Sequence, residues 1–405
     1  MQQQASAIRE ALVGRLPILN QQHEVVGYEL LLRRTGASAE EIDRQIAEVL
    51  TFTLMDMGID QVAGRKPVFL RVTAQFLSLD LTQLLPADKV ALVLPADLPI
   101  DGKVVETCKS LHARGYLLML DDRDWSAELA PLMPTLRMVR FDVGRSDLAQ
   151  QLTAYRQYPV RFVAGNVETL MEHDRARQAG CTFFQGYFFC QPDAVRGKRL
   201  PDSKIAILRA LQKVMSAESI REVEEVVKQD VGLSYRLLRY LNSAAFNMMH
   251  KIDSVQQALN MLGLNNIRRW LSVLAMSSLG EGKPAELVRM ALWRGRMLEG
   301  LAEKSGMAAR KSDYFILGLF SLLDAILDQP MQEALSHIAL PAEVRQGLLE
   351  PESPLGRKLA LVALAQRGDW KTMRTLLTQE GIDLPTLAAL NVEATEWVEE
   401  FSSLQ

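Results

Sequence analysis

Val26-Gly27-Tyr28-Glu29-Leu30-Leu31-Leu32-Arg33 puts a glutamate and an arginine on a strand-like apolar run. Outward from it, short β-rich runs alternate with helical stretches: 16–20, 68–72, 90–94, 116–120, 138–141, 160–163 and 183–189 join 26–32. That rhythm belongs to β/α units around a parallel sheet. Residues 40–57 and 104–114 repeat apolar side chains at three- and four-residue steps, which predicts helices. The strand runs are apolar almost throughout rather than alternating, as strands buried on both faces are. Together with the opening hairpin region 16–20 they fit a closed, TIM-like β/α barrel better than an open sheet. An open doubly wound sheet is the alternative, because no glycine-rich phosphate loop follows the early strands to decide the matter.

In a closed barrel the chemistry lies on the rim formed by the C-terminal strand ends. Polar residues at those ends are Glu29, Arg33, Arg71, Asp121, Asp122, Asp142, Glu168 and Gln185. Adjacent carboxylates such as Asp121 and Asp122 repel each other unless a cation, a proton or hydrogen bonds compensate them. A bound divalent metal is one explanation; a helix cap or simple solvation is the other.

The second half reads differently. Residues 194–204 are basic and polar and contain Pro201, which marks a boundary between 1–200 and 201–405. Beyond it, 205–215, 220–227, 234–241, 255–262, 266–279, 285–305 and 314–327 carry helical apolar spacing, with Ser254 as an N-cap and Gly263 as a stop. The chain is therefore α/β followed by all-α.

Composition narrows the function classes. With 405 residues and 48% hydrophobic content, the chain has material for sizeable cores in more than one domain. A net charge of −3, from 46 basic and 49 acidic residues, provides no field for holding nucleic acid. Arg268 and Arg269 beside Trp270 are too few for a basic stripe and read as a solvated helix face. Cys108, Cys181 and Cys190 fit neither a disulfide framework nor a zinc site, so a reducing cytoplasm is expected. No run of about 18 apolar residues predicts a membrane span, and Met1-Gln2-Gln3-Gln4-Ala5 lacks a signal-peptide pattern.

The rim residues carry a resemblance. Gly27 to Arg33 is similar to the Glu-Ala-Leu-Leu-Arg signature of EAL domains, the phosphodiesterases of cyclic di-GMP, with leucine at the alanine position. Asp121-Asp122 resembles that family's paired aspartates. Arg140-Phe141-Asp142 resembles its Lys-Ile-Asp segment, Val167-Glu168-Thr169 its Val-Glu-Thr segment, and Gln185-Gly186-Tyr187 its Gln-Gly-Tyr segment. The helical half resembles the HDOD domain through Asp230-Val231-Gly232-Leu233, Leu241-Asn242-Ser243-Ala244-Ala245-Phe246 and 252–259, extended by Arg268-Arg269-Trp270-Leu271 and 318–324. The pairing resembles a group of bacterial proteins that join an EAL to an HDOD domain.

Membership would imply Mg²⁺ or Mn²⁺ held by carboxylates and an asparagine, with a basic group activating water. The chain departs from that pattern where it matters. The asparagine position is Arg71, the strand-three glutamate position is Val93, the proposed general-base glutamate is Gly165, and the lysine is Arg140, which does not readily give up a proton. The Phe-Gly after the paired aspartates is Arg123-Asp124. The expectation is that Arg71 replaces the metal beside Glu29 and Asp121. The helical half likewise lacks the clustered histidines of HD phosphohydrolases: where those relatives carry His-Asp after Gly-Leu-Leu, the chain reads Ser321-Leu322, and its only adjacent His-Asp pair, His173-Asp174, falls on a surface helix of the barrel half.

The resemblance thus implies a non-catalytic signalling protein without a metal or other cofactor. Glu29, Arg33, Asp121, Asp122, Glu168 and Gln185 would contact cyclic di-GMP, the HDOD domain would engage another protein, and the EAL barrels would pair as a homodimer. Two alternatives stand beside it: a surviving Mg²⁺- or Mn²⁺-dependent phosphodiesterase using Glu29, Asp121, Asp122 and Glu168, and a structural scaffold that binds no nucleotide.

Overall fold

A computed structural model of the chain describes residues 14–31, 59, 63–64, 66–78, 85–193, 200–229, 232, 234–235, 237–238, 252 and 254–403. The helix expected over 40–57, the strand-end residue Arg33, and Asn242, Ser243 and His250 lie outside them.

The first unit is a closed barrel of eight strands in chain order. They are β1 (Gly14–Asn20), β2 (Val25–Leu31), β3 (Val68–Arg71), β4 (Val90–Leu94), β5 (Leu117–Asp121), β6 (Met138–Asp142), β7 (Arg161–Gly165) and β8 (Phe183–Gln185). From β2 to β8 every neighbouring pair is parallel, whereas β1 runs antiparallel to both β2 and β8. The tight return from β1 to β2 is made by Asn20, whose side-chain oxygen accepts from the backbone N–H of Gln22 and Glu24, each at 2.9 Å. Such a side-chain-to-backbone turn lets a hairpin, rather than a crossover helix, open the barrel. Inside the barrel Ile18, Phe69, Ala91, Val93, Met119, Met138, Val163 and Phe183 form one apolar layer.

The last run was expected to be a strand over 183–189, but β8 stops at Gln185. Gly186 has φ +148, and a Cβ there would stand 2.0 Å from the Val167 carbonyl oxygen. The chain can take this corner only without a side chain, and it leaves it as a 3₁₀ turn over Phe188–Cys190. The helices between strands carry their own stop and start chemistry. Asp101 caps Gly102–Ala113 by accepting from Val104 N–H at 2.8 Å. A Thr169/Glu172 capping box starts Leu170–Ala179, and Gly180 at φ +112 ends it.

The expected division at residue 200 also shifts. Met1–Gln191 and Leu361–Gln405 form one compact unit, and Pro192–Ala360 the other. The returning segment is tied to the barrel by Tyr187, whose hydroxyl donates to the Gln366 carbonyl at 2.8 Å, and by an Arg15–Glu399 ion pair at 3.5 Å. The expected division assigned these residues to the helical half, and no local pattern says which core a C-terminal segment joins.

The second unit is helical, with helices Asp202–Ser216, Ile220–Lys228, Val255–Leu279, Ala285–Lys304 and Lys311–Phe320 among its elements. Ser254 caps Val255–Leu279 through Gln257 N–H at 3.2 Å, and Gly263 breaks it at φ +72, ψ 161, between the two expected segments. Val223, Val227, Leu259, Ile267 and Trp270 sit in one core of this unit. Gly318 brings Lys311–Phe320 against Ala285–Lys304 so closely that a Cβ would lie 2.4 Å from Gly295 N.

Candidate functional site

Four of the predicted rim residues, Glu29, Arg71, Asp121 and Gln185, meet at one end of the barrel. Glu29 on β2, Asp121 on β5 and Gln185 on β8 are buried, at 5%, 6% and 2% exposure. What joins them is Arg140, itself buried on β6. Its Nε donates to Asp121 Oδ1 at 2.6 Å, and its Nη1 donates to Gln185 Oε1 at 2.5 Å and to Glu29 Oε2. Gln185 Nε2 donates to the same Glu29 oxygen at 2.6 Å. Arg71, at the end of β3, donates from Nη2 to Asp121 Oδ2 and holds its Nε 3.8 Å from Glu29 Oε1. Two carboxylates and two guanidinium groups thus close a neutral cage.

The strand register explains the convergence. Asp121 pairs with Arg140 across β5 and β6, while Ile18 pairs with Gln185 and Leu16 with Glu29 around β1. Burial would push the Asp121 carboxyl up, but Arg140 and Arg71 hold it below the usual carboxylate range. Burial would likewise lower the Arg140 guanidinium, and Glu29 and Asp121 raise it instead.

Asp122 and Glu168 were expected on the same rim, and neither enters the cage. Asp122 follows the end of β5 with φ +42. It pairs with Arg145 at 3.3 Å in a surface cluster with Asp124 and Asp147. The adjacent carboxylates thus face different arginines: Asp121 meets Arg71 and Arg140, whereas Asp122 meets Arg145. Glu168 is half-buried beside the start of Leu170–Ala179. Burial and Glu172 push its carboxyl up against the opposing pull of Arg367.

Arg140 is the residue that sequence reasoning left out of the site. Its signal was a permanent charge inside the apolar run Met138–Asp142, which must find partners when buried. Gly165 supplies the room, since a Cβ there would stand 3.1 Å from Arg140 Cδ. His173 also departs from expectation. Although its helix is external, the ring is buried and stacked on Phe188 at a centroid distance of 4.6 Å, with His23 at 5.1 Å. Burial lowers the affinity of both rings for a proton.

Mg²⁺ or Mn²⁺ needs oxygen ligands free to approach it. Both oxygens of Asp121 and of Glu29 face guanidinium groups. Among the described residues no group of three or more His, Cys, Asp or Glu is placed to hold a metal ion. As placed, the described rim carboxylates Glu29 and Asp121 do not fit a divalent cation.

In the helical unit Arg268 and Arg269 form no solvated basic face. Arg268 donates to the Val214 and Ala217 carbonyls at the end of Asp202–Ser216, where a cation suits the exposed carbonyls. Arg269 pairs with buried Glu299 and lies 4.1 Å from the centroid of the Phe315 ring. Ser321, at the position compared above with a metal-binding histidine, accepts from Arg294 Nη1 at 3.2 Å.

Residues 198–350 match the HDOD domain family. Over 401 residues, 95% of this chain and 97% of the relative, the sequence is 30% identical to the uncharacterised protein YuxH of Bacillus subtilis strain 168. Over 403 residues, 97% of this chain and 93% of the relative, it is also 30% identical to the cyclic di-GMP phosphodiesterase CdgJ of Vibrio cholerae serotype O1. Among solved structures, the Bacillus subtilis YkuI protein with an EAL domain, in complex with cyclic di-GMP and calcium, aligns with a TM-score of 0.37 at 16% identity, covering 56% of this chain and 74% of that one. No helix among the described residues is long and apolar enough to cross a membrane. A closed barrel with the EAL-like rim, an HDOD match beyond it and relatives alike over nearly their whole length make this chain a member of the family that joins an EAL barrel to an HDOD domain.

Proposed function

We propose that this is a non-catalytic signal-transduction protein: its barrel is a receptor for cyclic di-GMP and its HDOD domain engages another protein. One observation carries the non-catalytic reading. Arg71 and Arg140 satisfy Glu29 and Asp121, so the rim carboxylates are already neutralised without a metal. Hydrolysis of a phosphodiester by this kind of site needs a Lewis acid or an activated water. Both basic side chains of the cage are guanidinium groups, which stay protonated and cannot act as general bases. Arg71 is better suited to binding, because its side chain is 27% exposed and a guanidinium edge matches a phosphate.

The nucleotide is assigned through kinship with CdgJ, whose name specifies cyclic di-GMP. Calorimetric titration of the full chain with cyclic di-GMP, without added metal, tests the receptor reading: a saturable heat weakened by Arg71→Gln supports it. An absence of heat leaves a scaffold without nucleotide. The competing reading, a Mg²⁺- or Mn²⁺-dependent phosphodiesterase, draws on the name of the same relative. It would require Arg71 and Arg140 to leave the carboxylates, and metal-dependent turnover abolished by Glu29→Ala would establish it.

A further inference from the structure

The two ends of the barrel differ. The C-terminal end carries the cage, and the N-terminal end opens into a cavity of about 960 Å³. Its wall includes Phe69, Met138 and Phe183, side chains of the apolar layer inside the barrel. Its other lining residues include Arg137 and Arg161. Arg137 immediately precedes β6 and Arg161 begins the neighbouring β7, with Arg161 N–H donating to the Arg137 carbonyl at 3.0 Å. His112, in the last turn of Gly102–Ala113, adds a third basic side chain, and no Asp or Glu is among the described lining residues.

The two guanidinium groups differ from those of the cage. Both side chains are exposed, and neither has an ion-pair partner among the described residues. Arg161 lies over the Phe183 ring at 5.8 Å, which holds one cation against the apolar wall. A cavity of this size suits a ligand of about drug size. Arginine forks beside an apolar surface suit a carboxylate or phosphate attached to an apolar body, because the planar fork meets the anion bidentately while the wall takes up the body.

We propose that the N-terminal mouth of the barrel binds an amphipathic anion, with its apolar body on Phe69, Met138 and Phe183 and its anionic head on Arg137 and Arg161. The site is separate from the cage and does not depend on the reading of the rim. The test is fluorescence titration of the full chain with 11-(dansylamino)undecanoate, using its methyl ester as the neutral control. Expected are saturable binding at one site, at least tenfold weaker binding of the ester, and at least a tenfold loss in the Arg137→Gln/Arg161→Gln double variant at an unchanged melting temperature. Displacement by laurate or by dodecyl phosphate then identifies the head group. Absence of saturable binding overturns the proposal, as does binding that the ester and the double variant leave unchanged. Failure of both laurate and dodecyl phosphate to displace the probe counts against it equally.

Discussion

Arg140→Met probes the cage at its centre. The substitution keeps an unbranched side chain of similar length and removes the charge that touches Glu29, Asp121 and Gln185. Glu29 and Asp121 are only 5% and 6% exposed, so water cannot replace the lost partner without opening the barrel. Arg71 stays as a single cation for two carboxylates. At an effective dielectric near 20 each close pair is worth a gross interaction of about 4 kcal/mol, and removing one member of a buried pair costs about 3 to 5 kcal/mol net. For a unit of this size that corresponds to a fall of about 6 to 20 °C in melting temperature. Scanning calorimetry of the wild type and variant reads it directly. The second arm is Asp121→Asn in the Arg140→Met background, which removes the stranded charge and should recover part of the loss, giving a coupling of about 0.5 to 3 kcal/mol between the two changes. A cost below about 1 kcal/mol for Arg140→Met, or strictly additive effects, would mean that something other than Arg140 compensates the carboxylates.

Other expectations follow from the same geometry. Mg²⁺ or Mn²⁺ should leave the melting temperature unchanged, whereas an ion bound at a hundredfold excess over its Kd would add about 2.7 kcal/mol and reveal itself in the same scan. Gly186→Ala, with a Cβ 2.0 Å from the Val167 carbonyl, should cost at least about 3 kcal/mol in urea denaturation; an unchanged midpoint would contradict the corner described here. Gly318→Ala, 2.4 Å from Gly295 N, should destabilise the helical unit by about 2 to 4 kcal/mol, read by far-UV circular dichroism during the same titration. Folding lowers the proton affinity of His173 from the ordinary value of 6.5 by burial, against the pull of Asp174, while Arg177 lowers it further. The unfolded chain therefore takes up the proton first, and stability should be complete above pH 6.5 and decline as pH falls below it. His173→Phe should flatten that slope, with the residue coming from His23, and an unaltered slope would exclude the stacked ring as its source.

Much of the barrel was legible because its strands are buried on both faces and stand out as apolar runs, as in Val90–Leu94 and Met138–Asp142. The corner at Gly186 was not, because a positive φ is invisible within the run Phe-Phe-Gln-Gly-Tyr-Phe-Phe. The adjacent Asp121 and Asp122 read as a pair because the arginines that each meets, Arg71 and Arg140 for one and Arg145 for the other, come from distant parts of the chain. Membership of the C-terminal helices in the barrel unit rests on long-range contacts such as Tyr187 to Gln366, which no local periodicity encodes.

The departures from the EAL pattern make physical sense as a set. An arginine at 140 needs more space than the lysine it is compared with, and the glycine at 165 provides it: a Cβ there would meet the Arg140 stem at 3.1 and 3.3 Å. A glutamate at that position would bring a third carboxylate and crowd the guanidinium at the same time. Val93, compared with another family glutamate, joins the apolar layer of the barrel and adds no charge. The cage then holds two carboxylates and two guanidinium groups, and each further change back toward the family pattern, taken alone, would leave a charge unpaired or a volume overfilled. The helical unit repeats the same substitution on a smaller scale. Arg294 donates to Ser321 where HD hydrolases carry a metal-binding histidine, and burial keeps the nearby Asp324 carboxyl up even against that arginine. In both units a guanidinium with fixed charge and fixed geometry stands in the place compared with metal chemistry. Such a group compensates its neighbours by a charge that does not exchange with solvent, which agrees with the non-catalytic function proposed above.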